Sequence, residues 1–268
     1  MTDAVPGGQN AALTYTSYLA LDEILGAQRP RSDEHDEMLF IVIHQVYELW
    51  FKQLLHELGQ LQRSLEKGDT AHSTRTLRRA LTILKVVVAQ IDVLETMTPR
   101  QFTSFRERID ASSGFQSYQF RELEAVLGRR DKRMLAPYDK DSEAYARVAA
   151  AMSRPAVFDS FLRYLAGAGY DLPSASLERD VSAQWTESAD VQRVLVQVYA
   201  DDSGPSTVAD LLVDLDEGLQ EWRYRHVKMV ERTIGGKAGT GGSAGAAYLR
   251  TTLFHAVFPD LWAVRSQL

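Results

Sequence analysis

Residues 36–66 decide the fold class, and their sequence is DEMLFIVIHQVYELWFKQLLHELGQLQRSLE. Apolar side chains recur in this stretch at steps of three and four residues, which places them on one face of an α-helix. The β-branched triplet 41–43 falls within the same period and therefore does not indicate a strand. A long helix with one apolar face has to pack against other helices. The apolar positions are Leu39, Ile43, Val46, Trp50, Leu54, Leu58, Leu61 and Leu65.

Two further stretches continue the helical pattern. One follows the turn at 67–70 and ends before Thr98-Pro99, and the other begins near Ser206 and ends at Gly235-Gly236. No hairpin signal such as Asn-Gly between alternating segments occurs. We therefore predict an all-α fold, a helical bundle with almost no strand, whose first two long helices are antiparallel. Shorter helices are predicted at 12–27, 99–110, 115–128, 155–166 and 188–200, with one more starting near Ala246.

Composition limits the class of protein. The chain has 268 residues, 45% of them apolar and 25% charged, which is typical of a globular protein. The short intervals between helices favour one domain over residues 1–268. A net charge of −6, with both signs interleaved, offers no basic face to nucleic acid or an anionic membrane. No signal sequence and no stretch of ~18 apolar residues is present, so we expect a cytoplasmic protein.

The chain contains no cysteine, so any metal must be held by His, Asp or Glu. His226 lies on the apolar face of the third long helix, four residues after Trp222. Such a histidine is usually structural, but it is also the obvious iron ligand if a helical bundle houses a haem. The sequence pattern leaves both interpretations open.

His44 belongs to an aromatic stripe on the first long helix, with Phe40, Tyr47 and Phe51 at helical spacing. One interpretation is a core histidine hydrogen-bonded to a neighbour. The other is an imidazole that projects into an aromatic pocket and meets a polar atom of a planar ligand.

Two other features have a structural and a functional interpretation. Arg106, near Phe102 and Phe105, is either a solvated arginine or a clamp for a carboxylate. Residues 235–245 are rich in glycine, but a phosphate-loop pattern fails because position 231 is Glu, and a dinucleotide pattern fails because a helix precedes it. The remaining interpretation is a loop that closes over a ligand.

Four stretches, in this order, resemble the tryptophan 2,3-dioxygenase family from about Leu13 to Leu268. They are LFIVIHQVYELWFK at 39–52, TPRQFTSFR at 98–106 leading to SSGFQS at 112–117, WRYRH at 222–226, and the glycine loop through Gly245. The resemblance implies an all-helical bundle enclosing a b-type haem with ferrous iron. It also implies conversion of L-tryptophan and O2 to N-formyl-L-kynurenine, the first step of tryptophan catabolism.

The same resemblance implies roles for individual residues. His226 becomes the axial haem ligand, and His44 becomes the imidazole that meets the indole N–H as a positioning donor rather than an obligatory base. Arg106 holds the substrate carboxylate. The family is homotetrameric, and its N-terminal segment, here 1–28, reaches into a neighbouring subunit's site. The other implied residues are Ser113, Gly114 and Trp222 for the cofactor, and Phe40, Ile41, Val42, Ile43, Phe102, Thr240, Tyr15, Tyr18 and Leu19 for the substrate.

Two positions depart from the family pattern. Phe102 stands where some members have a tyrosine whose hydroxyl assists carboxylate binding, and Val46 stands where a smaller or polar residue is expected. Two alternatives stay open: a relative that inserts one oxygen atom into the indole C2 of a substituted tryptophan, and a haem-binding sensor or carrier without turnover. The carboxylate clamp and the glycine loop argue against the second.

Overall fold

The computed structural model describes residues 12–109, 112–237 and 245–268, which contain helices and no strand. This confirms the all-α prediction. Three helices are much longer than the rest, and their bounds agree with the predicted stretches. The α-helices are α1 Tyr15–Tyr18, α2 Leu21–Leu25, α3 His35–Glu66, α4 Thr70–Leu94, α5 Pro99–Arg106, α6 Tyr118–Leu127, α7 Glu143–Met152, α8 Val157–Gly167, α9 Ser174–Leu177, α10 Ala189–Ala200, α11 Gly204–Ile234, α12 Ala246–Arg250 and α13 Pro259–Ala263.

Local signals explain where the helices begin and end. The Asp69 carboxylate caps α4 by accepting from the His72 backbone N–H at 2.9 Å. Thr98 and Gln101 form a reciprocal capping box at the start of α5, directly before Pro99. Gly235 follows α11 with φ of 61°, in the left-handed region that favours glycine.

The three long helices build the core. The Tyr47 hydroxyl of α3 donates to the Val87 carbonyl of α4 at 3.2 Å, and the Gln90 side chain of α4 donates to the Ile43 carbonyl at 3.0 Å. Helix α11 lies so close to α4 that a Cβ on Gly218 would stand 2.7 Å from Leu84 Cδ2. The buried apolar side chains of this frame form one continuous cluster, which extends from α3 to the C-terminal segment, residues 245–268.

Several short elements were not predicted. Helix α7 is alanine-rich and buries only Val148, Ala151 and Met152, and α9 and α13 have only 4 and 5 residues. Helix α7 packs on α6 around a smaller apolar cluster. The predicted single domain over 1–268 stays a prediction. No helix in the described part of the chain is long and apolar enough to cross a membrane.

The buried carboxylate of Asp216 on α11 holds the C-terminal segment in place. Its Oδ2 accepts from the backbone N–H groups of Val257 and Phe258 at 2.7 and 2.9 Å and from the Trp262 indole at 2.9 Å. Asp260, also fully buried, accepts from Trp185, Ser188 and Gln192 in a second such arrangement. These contacts fix the segment that follows α12.

We expect Asp216→Ala to lower the free energy of unfolding by about 3 kcal/mol, because one buried and two half-buried N–H donors lose their acceptor. Urea unfolding followed by circular dichroism measures the change. Asp214→Ala, at an exposed position of the same helix, is the matched control and should change stability by less than about 0.5 kcal/mol. Equal effects of the two substitutions would contradict the assigned role of Asp216.

Candidate active site

A cavity lies between α3, α5, α6 and α11, and the start of the C-terminal segment closes part of it. Counted with its opening to solvent, it holds about 1630 Å³ of empty space. Its wall is mainly apolar and aromatic, with a few polar side chains, which is the usual character of a site for a small organic ligand. Both histidines singled out in the sequence, His44 and His226, line it.

Helix α3 supplies the aromatic stripe as one wall. Phe40, His44, Tyr47 and Phe51 all line the cavity, as their helical spacing requires. The His44 Nδ1 lies 2.7 Å from the Phe40 carbonyl oxygen. A carbonyl can only accept, so Nδ1 carries the hydrogen and donates it. In the neutral ring, Nε2 is then left as a hydrogen-bond acceptor.

Burial is the largest influence on His44 and lowers its pKa, although the Phe40 carbonyl and the Glu48 carboxylate oppose that shift. His44 is therefore neutral at pH 7. Glu48 also lines the cavity, where its carboxylate accepts from the Gln119 side chain at 2.8 Å.

Helix α11 supplies the facing wall through Trp222 and His226. Their rings are stacked, with centroids 5.0 Å apart and planes 11° from parallel. Burial lowers the pKa of His226 to about 4, and electrostatic interactions with His44 and Arg121 act in the same direction. Among the described residues no hydrogen bond to the His226 ring occurs. The side chain is thus a neutral imidazole with a free lone pair in an apolar wall.

The predicted clamp also lies on the cavity. Phe102 is buried against Phe40 and Phe105, with ring centroids 5.7 and 5.5 Å away. Arg106 lines the cavity one helical turn further along α5. The loop after α5 adds Ser113 and Gly114 to the wall.

Ile41, Val42 and Ile43 do not line this chain's own cavity within its described residues, and their contact with the substrate stays a prediction. Each step along an α-helix turns the side chain by ~100°, so the positions after Phe40 leave its face. Val42 is 38% exposed, and Ile43 packs in the core between α3 and α4. Only His44 returns to the cavity.

Other predicted residues lie elsewhere. Tyr15 and Tyr18 are 75% and 72% exposed, and Leu19 is half-buried away from the cavity. Their contact with a neighbouring subunit stays a prediction. Thr240 lies outside the described residues.

Sequence analysis missed a buried ionic cluster beside the cavity. The Glu124 carboxylate of α6 pairs with Arg121 at 2.7 Å, Arg129 at 2.8 Å and Arg223 at 3.2 Å. Burial alone would raise the pKa of Glu124, but the three guanidinium groups lower it below its usual range, so the carboxylate is ionised. The i, i+3 pair of Arg121 and Glu124 was visible in the sequence. The contact with Arg223, 99 positions away, was not.

An all-helical bundle whose long helices enclose an aromatic cavity, with neutral imidazoles on two of its walls, defines a class of helical proteins that bind planar organic ligands in their core. A family profile described as tryptophan 2,3-dioxygenase matches residues 2–154 and 182–268. The chain belongs to the tryptophan 2,3-dioxygenase family.

Curated relatives agree over their full length. The chain is 65% identical to a protein named tryptophan 2,3-dioxygenase from Anaeromyxobacter dehalogenans (strain 2CP-C), over 100% of both chains. It is 54% identical to the protein of that name from Herpetosiphon aurantiacus, over 96% of this chain and 99% of the relative. A Caulobacter vibrioides protein of the same name is 43% identical, over 96% and 98%.

Proposed function

We propose that this chain is a haem-dependent dioxygenase that converts L-tryptophan and O2 to N-formyl-L-kynurenine, the first step of tryptophan catabolism. One observation carries the proposal: His44 and His226, both neutral, lie on different walls of one aromatic cavity. Family membership and the names of full-length relatives supply the substrate.

The residues of the cavity fit a haem. His226 offers a single unprotonated imidazole, and no group of three or more His, Cys, Asp or Glu side chains suited to a metal ion occurs in the described ranges. A site with a single imidazole ligand suits an iron ion whose other ligands come from a macrocycle. It suits a bare metal ion less well, because such an ion needs several protein ligands. Trp222, Ser113 and Gly114 line the same cavity and would contact the cofactor. Ferrous haem supplies the oxygen chemistry at the electron-rich C2=C3 bond of indole.

The protein's own groups bind and orient the substrate. His44 Nε2 accepts a hydrogen bond from the indole N–H, since Nδ1 is engaged with the Phe40 carbonyl. In this arrangement His44 positions the indole as an acceptor and not as the donor expected from the sequence. The Phe40 ring packs on the indole, and Arg106 holds the carboxylate, joined by Thr240 from the glycine loop. Phe102 and Phe105 exclude water from the same end of the cavity.

The proposal includes a cytoplasmic homotetramer without a nucleic acid or membrane partner. Segment 1–28 would place Tyr15, Tyr18 and Leu19 against a neighbouring subunit's site. The two tyrosines are exposed on this chain, which supports a contact outside it.

Two measurements test the function. The absorption spectrum of the reduced, haem-loaded protein should show a Soret band that shifts when L-tryptophan is added, and absence of the band would exclude the proposal. Turnover under ¹⁸O2 should add two labelled atoms to the product. One labelled atom would instead indicate monooxygenation at the indole C2, and haem loading without turnover would indicate a sensor or carrier.

We expect His44→Ala to retain haem and activity while binding L-tryptophan about tenfold more weakly, because a neutral hydrogen bond contributes only ~0.5–1.5 kcal/mol. Steady-state kinetics and substrate titration measure the effect. His56→Ala, at an exposed position of the same helix, is the control and should match wild type. Complete inactivation with unchanged substrate affinity would make His44 an essential acid or base.

A further inference from the structure

Residues 12–26, called the arm below, are mostly exposed. Their two short helices, α1 and α2, contact each other, and neither helix buries a residue. Apolar side chains that lie close together on the surface of a protein commonly mark a contact with another molecule. The arm has five large apolar side chains of which at least 44% is exposed, Leu13, Tyr15, Tyr18, Ile24 and Leu25.

The side chain of Gln45 on α3 holds the end of the arm. Its Oε1 accepts from Gln28 Nε2 at 2.7 Å, and its Nε2 donates to the Ala27 carbonyl at 3.4 Å. Gln28 Nε2 also donates to the Ile24 carbonyl at 3.0 Å, at the C-terminal end of α2. Because Gln45 directly follows His44, the arm is attached to α3 next to a residue of the cavity.

A second anchor lies at the start of α3. The Glu37 carboxylate is only 1% exposed and accepts from the backbone N–H groups of Arg31 and Ser32, both at 2.8 Å. It also accepts from the Ser32 hydroxyl at 2.5 Å. A segment that is held at one point can still swing, whereas a segment held at two points also keeps its direction. Gln45 and Glu37 together therefore fix the direction in which the arm leaves α3.

This fixed direction does little for the packing of the arm on its own chain, because neither helix of the arm is buried there. It favours docking on another molecule, since a segment that already points the right way loses less conformational entropy when it binds. We propose that Gln45 and Glu37 are positioning residues that direct the arm toward the site of a second copy of this chain. The inference rests on the proposed function, in which segment 1–28 meets a neighbouring subunit. It deepens that function by naming groups of one subunit that control substrate binding in the other.

Kinetics of the haem-loaded, full-length protein test the inference. Gln45→Ala should raise KM for L-tryptophan roughly 2- to 10-fold through the loss of neutral hydrogen bonds, and should leave kcat and haem content near wild type. Glu37→Gln, which keeps only one side-chain oxygen as an acceptor, should act in the same direction. Gln60→Ala is the matched control, because Gln60 is a half-buried glutamine near the other end of α3 whose side chain is hydrogen-bonded to Ser64 and His72.

A double-mutant cycle shows whether Gln45 acts through the arm. In a Tyr15→Ser/Tyr18→Ser protein the arm lacks its aromatic side chains, so Gln45→Ala should cause no further rise in KM. A rise of the same size in both backgrounds would place the effect of Gln45 on its own subunit, through His44 or the helix, and would overturn the inference.

Spin labels measure the direction of the arm without reference to turnover. The chain has no cysteine, so Glu23→Cys, at an exposed position of α2, provides a single labelling site. The measurement uses the ferrous carbonyl form, in which the haem is diamagnetic. Distances between the labels of two copies should form a narrow distribution in the otherwise wild-type protein. The distribution should become broad with Gln45→Ala and stay narrow with Gln60→Ala.

The label distances also separate this inference from the proposed function. A broad distribution without further substitution, no distance between copies, or a narrow distribution that Gln45→Ala leaves unchanged would overturn the inference while haem binding and turnover stand. If wild-type protein gives no histidine-ligated haem spectrum, the proposed function fails, and the label distances measured on that protein still decide whether the two anchors direct the arm.

Discussion

A His226→Ala variant is expected to lose its haem or to hold it only loosely. The chain has no cysteine, and the described residues include no group of three or more His, Asp or Glu side chains that could hold a metal ion. The second imidazole on the cavity, His44, has its Nδ1 engaged with the Phe40 carbonyl and lies on another wall. We therefore expect no other imidazole of the described residues to take over the position of His226.

Haem content per protein chain, measured as the pyridine haemochrome, should fall from about one toward zero. A smaller His226→Gly variant should recover haem in the presence of imidazole, since the free base fills the space of the missing ring. His56→Ala should retain full haem content. Stoichiometric haem with an unchanged spectrum in His226→Ala would show that another group is the axial ligand.

The Arg106→Leu variant is expected to lose most of its catalytic efficiency toward L-tryptophan while its haem content stays normal. Removal of one partner of a desolvated charged pair typically costs ~2–5 kcal/mol, or roughly 30- to 4000-fold in affinity. Arg106 carries more of this interaction here because Phe102 offers no hydroxyl to the same carboxylate. The loss should therefore lie well above that of His44→Ala.

A comparison of tryptamine with tryptophan distinguishes a loss of carboxylate binding from a general disturbance of the site. Tryptamine has the indole and the amine of tryptophan but lacks the carboxylate. Arg106→Leu should affect tryptamine far less than tryptophan, so that the preference between the two substrates collapses. Arg100→Leu, at an exposed position of the same helix, should leave both unchanged. Phe102→Tyr should improve tryptophan binding or leave it as it is. An equal loss for both substrates would make Arg106 structural.

The sequence predicted the features that depend on local periodicity. Helices α3, α4 and α11 follow from their apolar spacing and from the turn, proline and glycine residues that bound them. The stripe through His44 reached the cavity because residues four apart share a helix face. Helix α7 was missed because its buried face consists of Val148, Ala151 and Met152, with no leucine or aromatic side chain to mark it in an alanine-rich stretch.

Long-range contacts could not be predicted in this way. Glu124 meets Arg223 across 99 positions, and Asp216 accepts from Val257 across 41. Both are ionic or polar groups that become buried only because separate helices converge on them. The assignment of Ile41, Val42 and Ile43 came from their neighbourhood in the sequence, whereas only Phe40 and His44 share the face that lines the cavity.

The hydrogen bond between His44 and the Phe40 carbonyl bears on how this site can change in evolution. The acceptor is a main-chain atom of α3, so the helix itself, and not the identity of a neighbouring side chain, determines which ring nitrogen carries the hydrogen. A mutation at position 40 can reshape the pocket without moving that hydrogen. Mutations can thus change the substrate preference without changing the tautomer of the imidazole. The pocket can adapt to a differently substituted indole while His44 Nε2 remains a hydrogen-bond acceptor.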